Sequence, residues 1–299
     1  MVSVINSKVY CGGGITDCDD IYCYDPSQDK WTCLPPIPVS WFGLGQVDGK
    51  LVAVGGKTKR NDKLTNEVYT YDEQSLNWIQ TIPPMPIAKC LPGVLSLKSA
   101  LIVAGGYTPN ASVSYTDSVV VFKPDSSQWY WTDPLPIGCC SVPLVSASDK
   151  TCFALGGYQK KHLFLDQALY ASVDDLFCNA IPADQATHRS SSDAQSAWKS
   201  AWKSLPNTPS CRPAAAMLAG NLLALEGKET TSYEGANRSE VYMYHPLSNS
   251  WIYISDLPAP HFGTAVAALS ATEILVMGGW GEGCNVVNSV YKGALHLGL

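Results

Sequence analysis

Residues 42–86 read FGLGQVDGKLVAVGG, then KTKRNDKLTN, then EVYTYDEQSLNW, then IQTIPPMP. An apolar run closes on Gly55-Gly56, and a polar stretch of variable character follows. A second apolar run carries Tyr69 and Tyr71 on alternate positions. Trp78 stands seven residues after Tyr71, and a proline-rich turn follows it. Turn chemistry bounds each apolar run, so the stretch divides into four short strands, a to d. Strand b ends at the glycine pair, strand c holds the tyrosines, and strand d starts at the tryptophan.

The same grammar recurs along the chain. Apolar runs end at Gly13, Gly56, Gly106, Gly157, Gly227 and Gly279, at steps of 43, 50, 51, 70 and 52 residues. The aromatic-to-tryptophan spacing returns as Tyr24 to Trp31, Phe122 to Trp129 and Tyr244 to Trp251. Self-similarity at a period near 50 is the signature of a propeller, each unit one four-stranded blade. The glycine pairs allow close backbone approach on the inner strands. The aromatics of strands c and d fill the wedge between blades.

These residues resemble the kelch repeat, over essentially the whole chain. The resemblance implies an all-β, six-bladed kelch-type β-propeller with four antiparallel strands per blade, forming one domain over residues 1–299. The repeat departs from its pattern in three places. Glu226 replaces the first glycine of blade five, so a distorted inner turn is expected there. Blade four has no tryptophan at the usual spacing. A Ser/Ala/Asp/Gln-rich insertion at about 178–197 reads as a surface loop, and strand d resumes at Trp202. The duplicated SAWK at 196–199 and 200–203 makes Trp198 a competitor for the same slot. Finally, Gly293 stands at the second aromatic position of blade six, which is therefore expected to lack its outer strand. In propellers of this family a strand from the other terminus often seals the ring. Here it would lie upstream of Met1, and the sequence reads as a propeller taken from a longer protein or one imperfectly sealed.

Composition narrows the function classes. Charged residues are 15% and the net charge is -6, which does not suit a phosphate-backbone binder. No run of 18 apolar residues exists to form a membrane-spanning helix. The N-terminal residues lack the basic and long apolar regions of a signal peptide. The 11 cysteines show no zinc-site spacing and read as small buried hydrophobes of a reducing cytoplasm. No cofactor and no metal is expected, and no nucleic acid or membrane partner.

Antiparallel blades put the b–c and d–a loops on one face. The resemblance implies that peptide segments bind there, as in kelch-like adaptors of cullin ubiquitin ligases. It points to Trp41, Phe42, Lys89, Arg212 and His261 in the d–a loops, with Cys90, Cys139 and Phe262 beside them. Tyr107, Tyr158 and Trp280, each directly after a glycine pair, complete the set. Lys57, Lys59, Arg60, Lys63, Lys89, Lys160, Lys161 and Arg212 would make this face positive against the overall charge, favouring an acidic peptide or protein segment. The expectation is thus a non-enzymatic, protein-binding module. The alternative is a carbohydrate-processing kelch enzyme, a sugar mutarotase or an oxidase, at the channel mouth. Its one suggestive carboxylate is Glu226. The five histidines, of which only His162 and His261 reach the loop face, make a poor copper set.

Overall fold

The computed structural model describes residues 1–13, 20–110, 113–159, 163–185, 200–232 and 234–295. Their strands form six antiparallel blade sheets ordered a-b-c-d, with a fifth strand on blade three and only a-b-c in blade six among the described residues, the six-bladed propeller arrangement that the repeat implies. Two compact units hold three blades each. One is Met1–Ser141 with Ser172–Trp202, the other Val142–Ala171 with Lys203–Leu299.

In the first unit, blade one is Val2–Ile5, Lys8–Gly12, Ile21–Asp25 and Lys30–Cys33. Blade two is Gly43–Val47, Lys50–Val54, Val68–Asp72 and Asn77–Ile79. Blade three is Gly93–Ser96, Leu101–Ala104, Val119–Lys123 and Gln128–Trp131. Strand b of blades two and three is buried without alternation from Leu51 to Val54 and from Leu101 to Ala104. An inner strand packed on both faces has no solvent side. Each fully buried Val or Leu contributes roughly 1.5–3 kcal/mol, so stability concentrates there. Strand d of blade one, at the sheet edge, is exposed throughout.

The second unit holds blade four as Leu144–Ala147, Thr151–Leu155, Ala168–Ser172 and Lys203–Leu205, strand c ending at the unit boundary. Blade five is Ala214–Leu218, Asn221–Lys228, Asn237–His245 and Ser250–His261. Blade six is Ala265–Ala268, Glu273–Met277 and Val290–Ala294, three-stranded among the described residues as its sequence suggested.

The aromatic spacing is a pairing rule. Tyr24, Tyr71, Phe122 and Tyr244 are the direct cross-strand partners of Trp31, Trp78, Trp129 and Trp251. Their ring centroids are 4.9, 5.3, 5.3 and 5.5 Å apart, within the range of favourable aromatic contact. The tryptophans also tie blade to blade. Indole Nε1 of Trp78 donates to the carbonyl of Pro35 at 3.0 Å, that of Trp129 to Pro83 at 2.8 Å, and that of Trp251 to Pro206 at 2.9 Å. Each acceptor lies in the proline-rich turn of the preceding blade. Trp202 makes the same bond to Asp133, at 3.1 Å, and so occupies the tryptophan slot of blade four. Trp198 lies outside the described residues.

Two expectations need correction or refinement. The start of the proposed insertion loop is structured. Val173–Cys178 is a helix capped by the Ser172 hydroxyl, which accepts from the Asp175 amide at 3.4 Å. Ile181–Pro182 then adds a fifth strand to blade three, with Pro182 opposite Tyr130 and Ile181 opposite Trp131. The outer edge of blade three would otherwise carry unpaired backbone groups, and proline is tolerated in such an edge strand. Residues 186–199 of the insertion lie outside the described residues. At Glu226, strand b does not stop at the glycine position but runs on to Lys228 through an irregularity in register. The backbone still keeps the left-handed turn: Glu226 has φ 51°, beside 63° for Gly55, 62° for Gly105 and 65° for Gly278. In blade two the reason for glycine is space. A Cβ at Gly55 would collide with the Lys89 carbonyl, and one at Gly56 with that of Ser40.

Candidate interaction site on the loops

The d–a turns repeat one conformation. Trp41, Leu91, Ser141 and Arg212 have φ of 58°, 51°, 52° and 52°, and Gly263 has 69°. Main-chain bonds hold the turns: Leu91 N donates to Trp41 O at 2.7 Å, Ser141 N to Leu91 O at 2.8 Å, and Arg212 N to Leu165 O at 2.7 Å. A side chain at this position is set by a rigid turn, which suits a binding residue on a scaffold.

In the second unit this geometry builds a cationic aromatic cluster. The Arg212 guanidinium lies 5.8 Å from the ring centre of Tyr158, 5.4 Å from Phe164 and 5.5 Å from Phe262. Phe262 also stacks near-parallel on Trp280, 6.3 Å away, and receives Lys228 Nζ at 4.6 Å. Lys228 is anchored by donating to Gly235 O at 2.8 Å. Cation–π contacts contribute about 0.5–1 kcal/mol each when exposed and about 2 kcal/mol or more when desolvated. Five predicted or adjacent residues, Tyr158, Arg212, Phe262, Trp280 and, close by, His261, therefore do come together. His261 itself is buried. Its Nδ1–H donates to Ala259 O at 2.9 Å, since a carbonyl only accepts, and Nε2 lies 3.5 Å from Ser289 Oγ.

Beneath the cluster lies Glu226, fully buried. Thr264 donates to its Oε1 from the amide at 3.0 Å and from the hydroxyl at 2.6 Å. Burial pushes the carboxyl up to about 7, against the hydrogen bonds of Thr264 and the charge of Arg212. It is closed off from solvent, whereas acid–base work on a sugar needs a carboxyl within reach of the substrate. Among the described residues no three His, Cys, Asp or Glu side chains converge as a metal site. Burial holds the thiols of Cys90 and Cys152 up at about 12 and that of Cys211 at about 11, so they stay protonated.

In the first unit the expected residues divide. Trp41 is half-buried at the surface, with Lys57 Nζ 4.5 Å from its ring centre, and Lys57 pairs with Asp62 at 2.7 Å. Tyr107 is half-buried and meets Tyr115 edge-on at 5.6 Å, while its main chain bridges to Cys90. Phe42 and Lys89 are not surface groups. Phe42 is wholly buried with Ile37, Val39 and Leu44. Lys89 is also wholly buried, its Nζ donating to Ser118 Oγ at 2.8 Å and Ser118 O at 3.3 Å. Burial lowers its ammonium to about 7, with Asp117 opposing. The charge pattern is corrected accordingly. Lys89 adds nothing to the surface, Arg212 is itself buried at 8% exposure, Lys57 is half-buried, Lys160 and Lys161 lie outside the described residues, and the exposed cations of this loop are Lys59, Arg60 and Lys63. Sequence reasoning missed Phe164 and Lys228, although Phe164 is an isolated aromatic in the b–c loop of blade four.

Comparison with known proteins agrees with this architecture. The Kelch motif matches residues 2–38. The chain is thus a β-propeller that carries a Kelch motif and is similar in sequence to kelch-like proteins. Kelch-like protein 40 of Mus musculus is 30% identical over 162 residues, covering 53% of this chain and 25% of that protein. Kelch-like protein 15 of Mus musculus is 28% identical over 197 residues, covering 58% and 32%. This kelch propeller thus spans about a quarter to a third of the length of these relatives. The solved structure of YjhT superposes with a TM-score of 0.73 at 14% identity, covering 97% of this chain and 92% of that one. At that identity the likeness concerns fold.

Proposed function

We propose that this kelch propeller is a non-enzymatic protein-interaction module that works in the cytoplasm and binds an acidic peptide or protein segment through its b–c and d–a loops. The observation that carries the reading is the Arg212 guanidinium held among Tyr158, Phe164 and Phe262 on a fixed left-handed turn. Arginine and aromatic residues dominate binding hot spots, and a planar guanidinium fits a carboxylate. Trp41 with Lys57, and Tyr107, supply apolar and cationic contact on the first unit. Likeness to kelch-like proteins supports a role as a substrate adaptor of a ubiquitin ligase. The enzyme reading loses its only candidate carboxylate, because Glu226 is buried. The test is affinity capture with the wild-type chain, Arg212→Ala and Lys59→Ala, followed by identification of the captured proteins. Sharp loss with Arg212→Ala and a small, salt-dependent loss with Lys59→Ala support the proposal. Unchanged capture by both variants at low salt refutes it.

A further inference from the structure

Position 226 is the first residue of an inner turn that Gly55, Gly105, Gly156 and Gly278 fill in other blades. In blade four a side chain there has no room. A Cβ at Gly156 would collide with Pro213 Cδ at 2.7 Å and with Leu165 O at 2.8 Å. Blade five differs in what faces the turn. Proline follows the left-handed residue of two d–a turns, as Pro92 after Leu91 and Pro213 after Arg212, and proline has no N–H to offer. Thr264 takes that place after Gly263, and its amide and hydroxyl both donate to Glu226 Oε1. The other carboxyl oxygen, Oε2, is buried and has no hydrogen-bond partner among the described residues. A buried carboxylate oxygen without a donor is unfavourable, so ionisation of Glu226 requires a donor at Oε2.

Arg212 is the group placed to supply it. Its charge acts on the carboxyl. Its Nη2 lies 3.6 Å from where a Gly263 Cβ would stand, one residue before Thr264. The other titratable groups on these elements have their own partners. Lys228, two residues along the same strand, donates to Gly235 O at 2.8 Å. Arg238 on strand c pairs with Glu240 at 2.7 Å and with Glu229 at 3.5 Å. His261, at the end of strand d, bonds to Ala259 O at 2.9 Å. Asp166, before strand c of blade four, acts on the Cys211 thiol.

We propose that Glu226 is a positioning residue of the loop site, whose ionised carboxylate takes a guanidinium hydrogen bond at Oε2 and withdraws Arg212 from an acidic partner. The inference rests on the reading of Arg212 as the partner's anchor and adds the regulation of that site. Ionisation of Glu226 and binding of the partner compete for one guanidinium, so each opposes the other by the same factor. The Glu226 carboxyl titrates at about 7. The fraction of chains with Arg212 available therefore falls from about 0.9 at pH 6 to about 0.1 at pH 8, and the apparent affinity falls about tenfold with it. Aspartate and glutamate side chains of a partner stay ionised across this range.

Two measurements on the 299-residue chain test this, and the first needs no partner. The Nε–H signal of Arg212 in heteronuclear NMR, assigned by its loss in Arg212→Lys, should shift with one midpoint at a pH of about 7. It should stay constant in Glu226→Gln and Glu226→Gly. Glutamine keeps an acceptor for Thr264, and glycine restores the residue of the other blades, so both variants should keep the circular dichroism of the wild type. The second measurement titrates a pool of nonapeptides, with glutamate fixed at the centre and no histidine or cysteine, by fluorescence anisotropy. The wild type should bind the pool about tenfold more weakly at pH 8 than at pH 6, and each variant equally at both. An Arg212 signal that does not titrate in the wild type, or titrates alike in the variants, overturns the proposal. So does a pH dependence of peptide affinity that both variants share with the wild type, which would assign it to His261 or another group. Peptide binding that Arg212→Ala leaves unchanged refutes instead the reading of Arg212 as anchor, and the regulation falls with it.

Discussion

Replacing Glu226 by glutamine isolates one buried carboxyl from the rest of the molecule. Its pKa in the folded chain is about 7, against 4.5 for the free group, and burial is the main cause. The sign follows from proton uptake. Between pH 4.5 and 7 the unfolded chain has lost this proton and the folded chain still holds it, so stability falls as pH rises. The contribution is fully present below pH 4.5 and fully lost above pH 7. At 1.36 kcal/mol per unit, the difference between 4.5 and about 7 makes the loss about 3 kcal/mol. Glutamine keeps an oxygen to accept both Thr264 bonds and does not titrate. Urea denaturation of both proteins at pH 5 and pH 8 is the assay. Glu226→Gln should be close to wild type at pH 5, and more stable than wild type by up to about 3 kcal/mol at pH 8. Lys89 titrates with the opposite sign near the same pH, but it is common to both proteins and cancels in the difference. A stability difference that is the same at both pH values would refute the reasoning.

Lys89 itself, with its ammonium lowered to about 7, binds its proton more weakly folded than unfolded. Wild-type stability should therefore gain from this group as pH rises from 7 towards 10.5, and Lys89→Met should flatten that rise in the same denaturation experiment. Trp251→Phe keeps the stacking on Tyr244 but deletes the indole bond to Pro206. It should cost about 1 kcal/mol, seen as a lower melting temperature. Deleting residues 196–199, one SAWK copy, should leave soluble protein with an unchanged melting temperature, because Trp202 already holds the blade-four slot through Asp133. Loss of soluble protein would show that the first copy is structural.

The repeat made the fold legible because its chemistry is local and recurrent. Tyr71 and Trp78 are seven residues apart because a tight turn places them directly opposite each other. The same spacing therefore predicted the same pair in four blades. That blade six shows three strands among the described residues was readable for the same reason, from Gly293 at its second aromatic position. The added edge strand Ile181–Pro182 was not, because it belongs to no repeat. Its role is set by the blade edge it covers, which lies about fifty residues earlier in the chain.

The site was legible by position and not by side-chain direction. The repeat located the d–a turns correctly, yet adjacent residues on a left-handed turn face opposite ways. Trp41 lies at the surface and Phe42 in the core. Lys89 sits in the run PIAKCLPG, whose apolar neighbours were the available sign of burial, while its partner Ser118 lies in the next b–c loop. Arg212 differs from Lys89 in what it can tolerate. A guanidinium is weakly hydrated and planar, so three rings can hold it charged. The ammonium of Lys89, wholly buried, loses its charge near neutral pH. The exchange Arg212→Lys should therefore fail to restore binding lost in Arg212→Ala, even though it conserves formal charge. Restored capture by the lysine variant would show that the partner senses net charge alone, and that the aromatic cage serves only to pack the second unit.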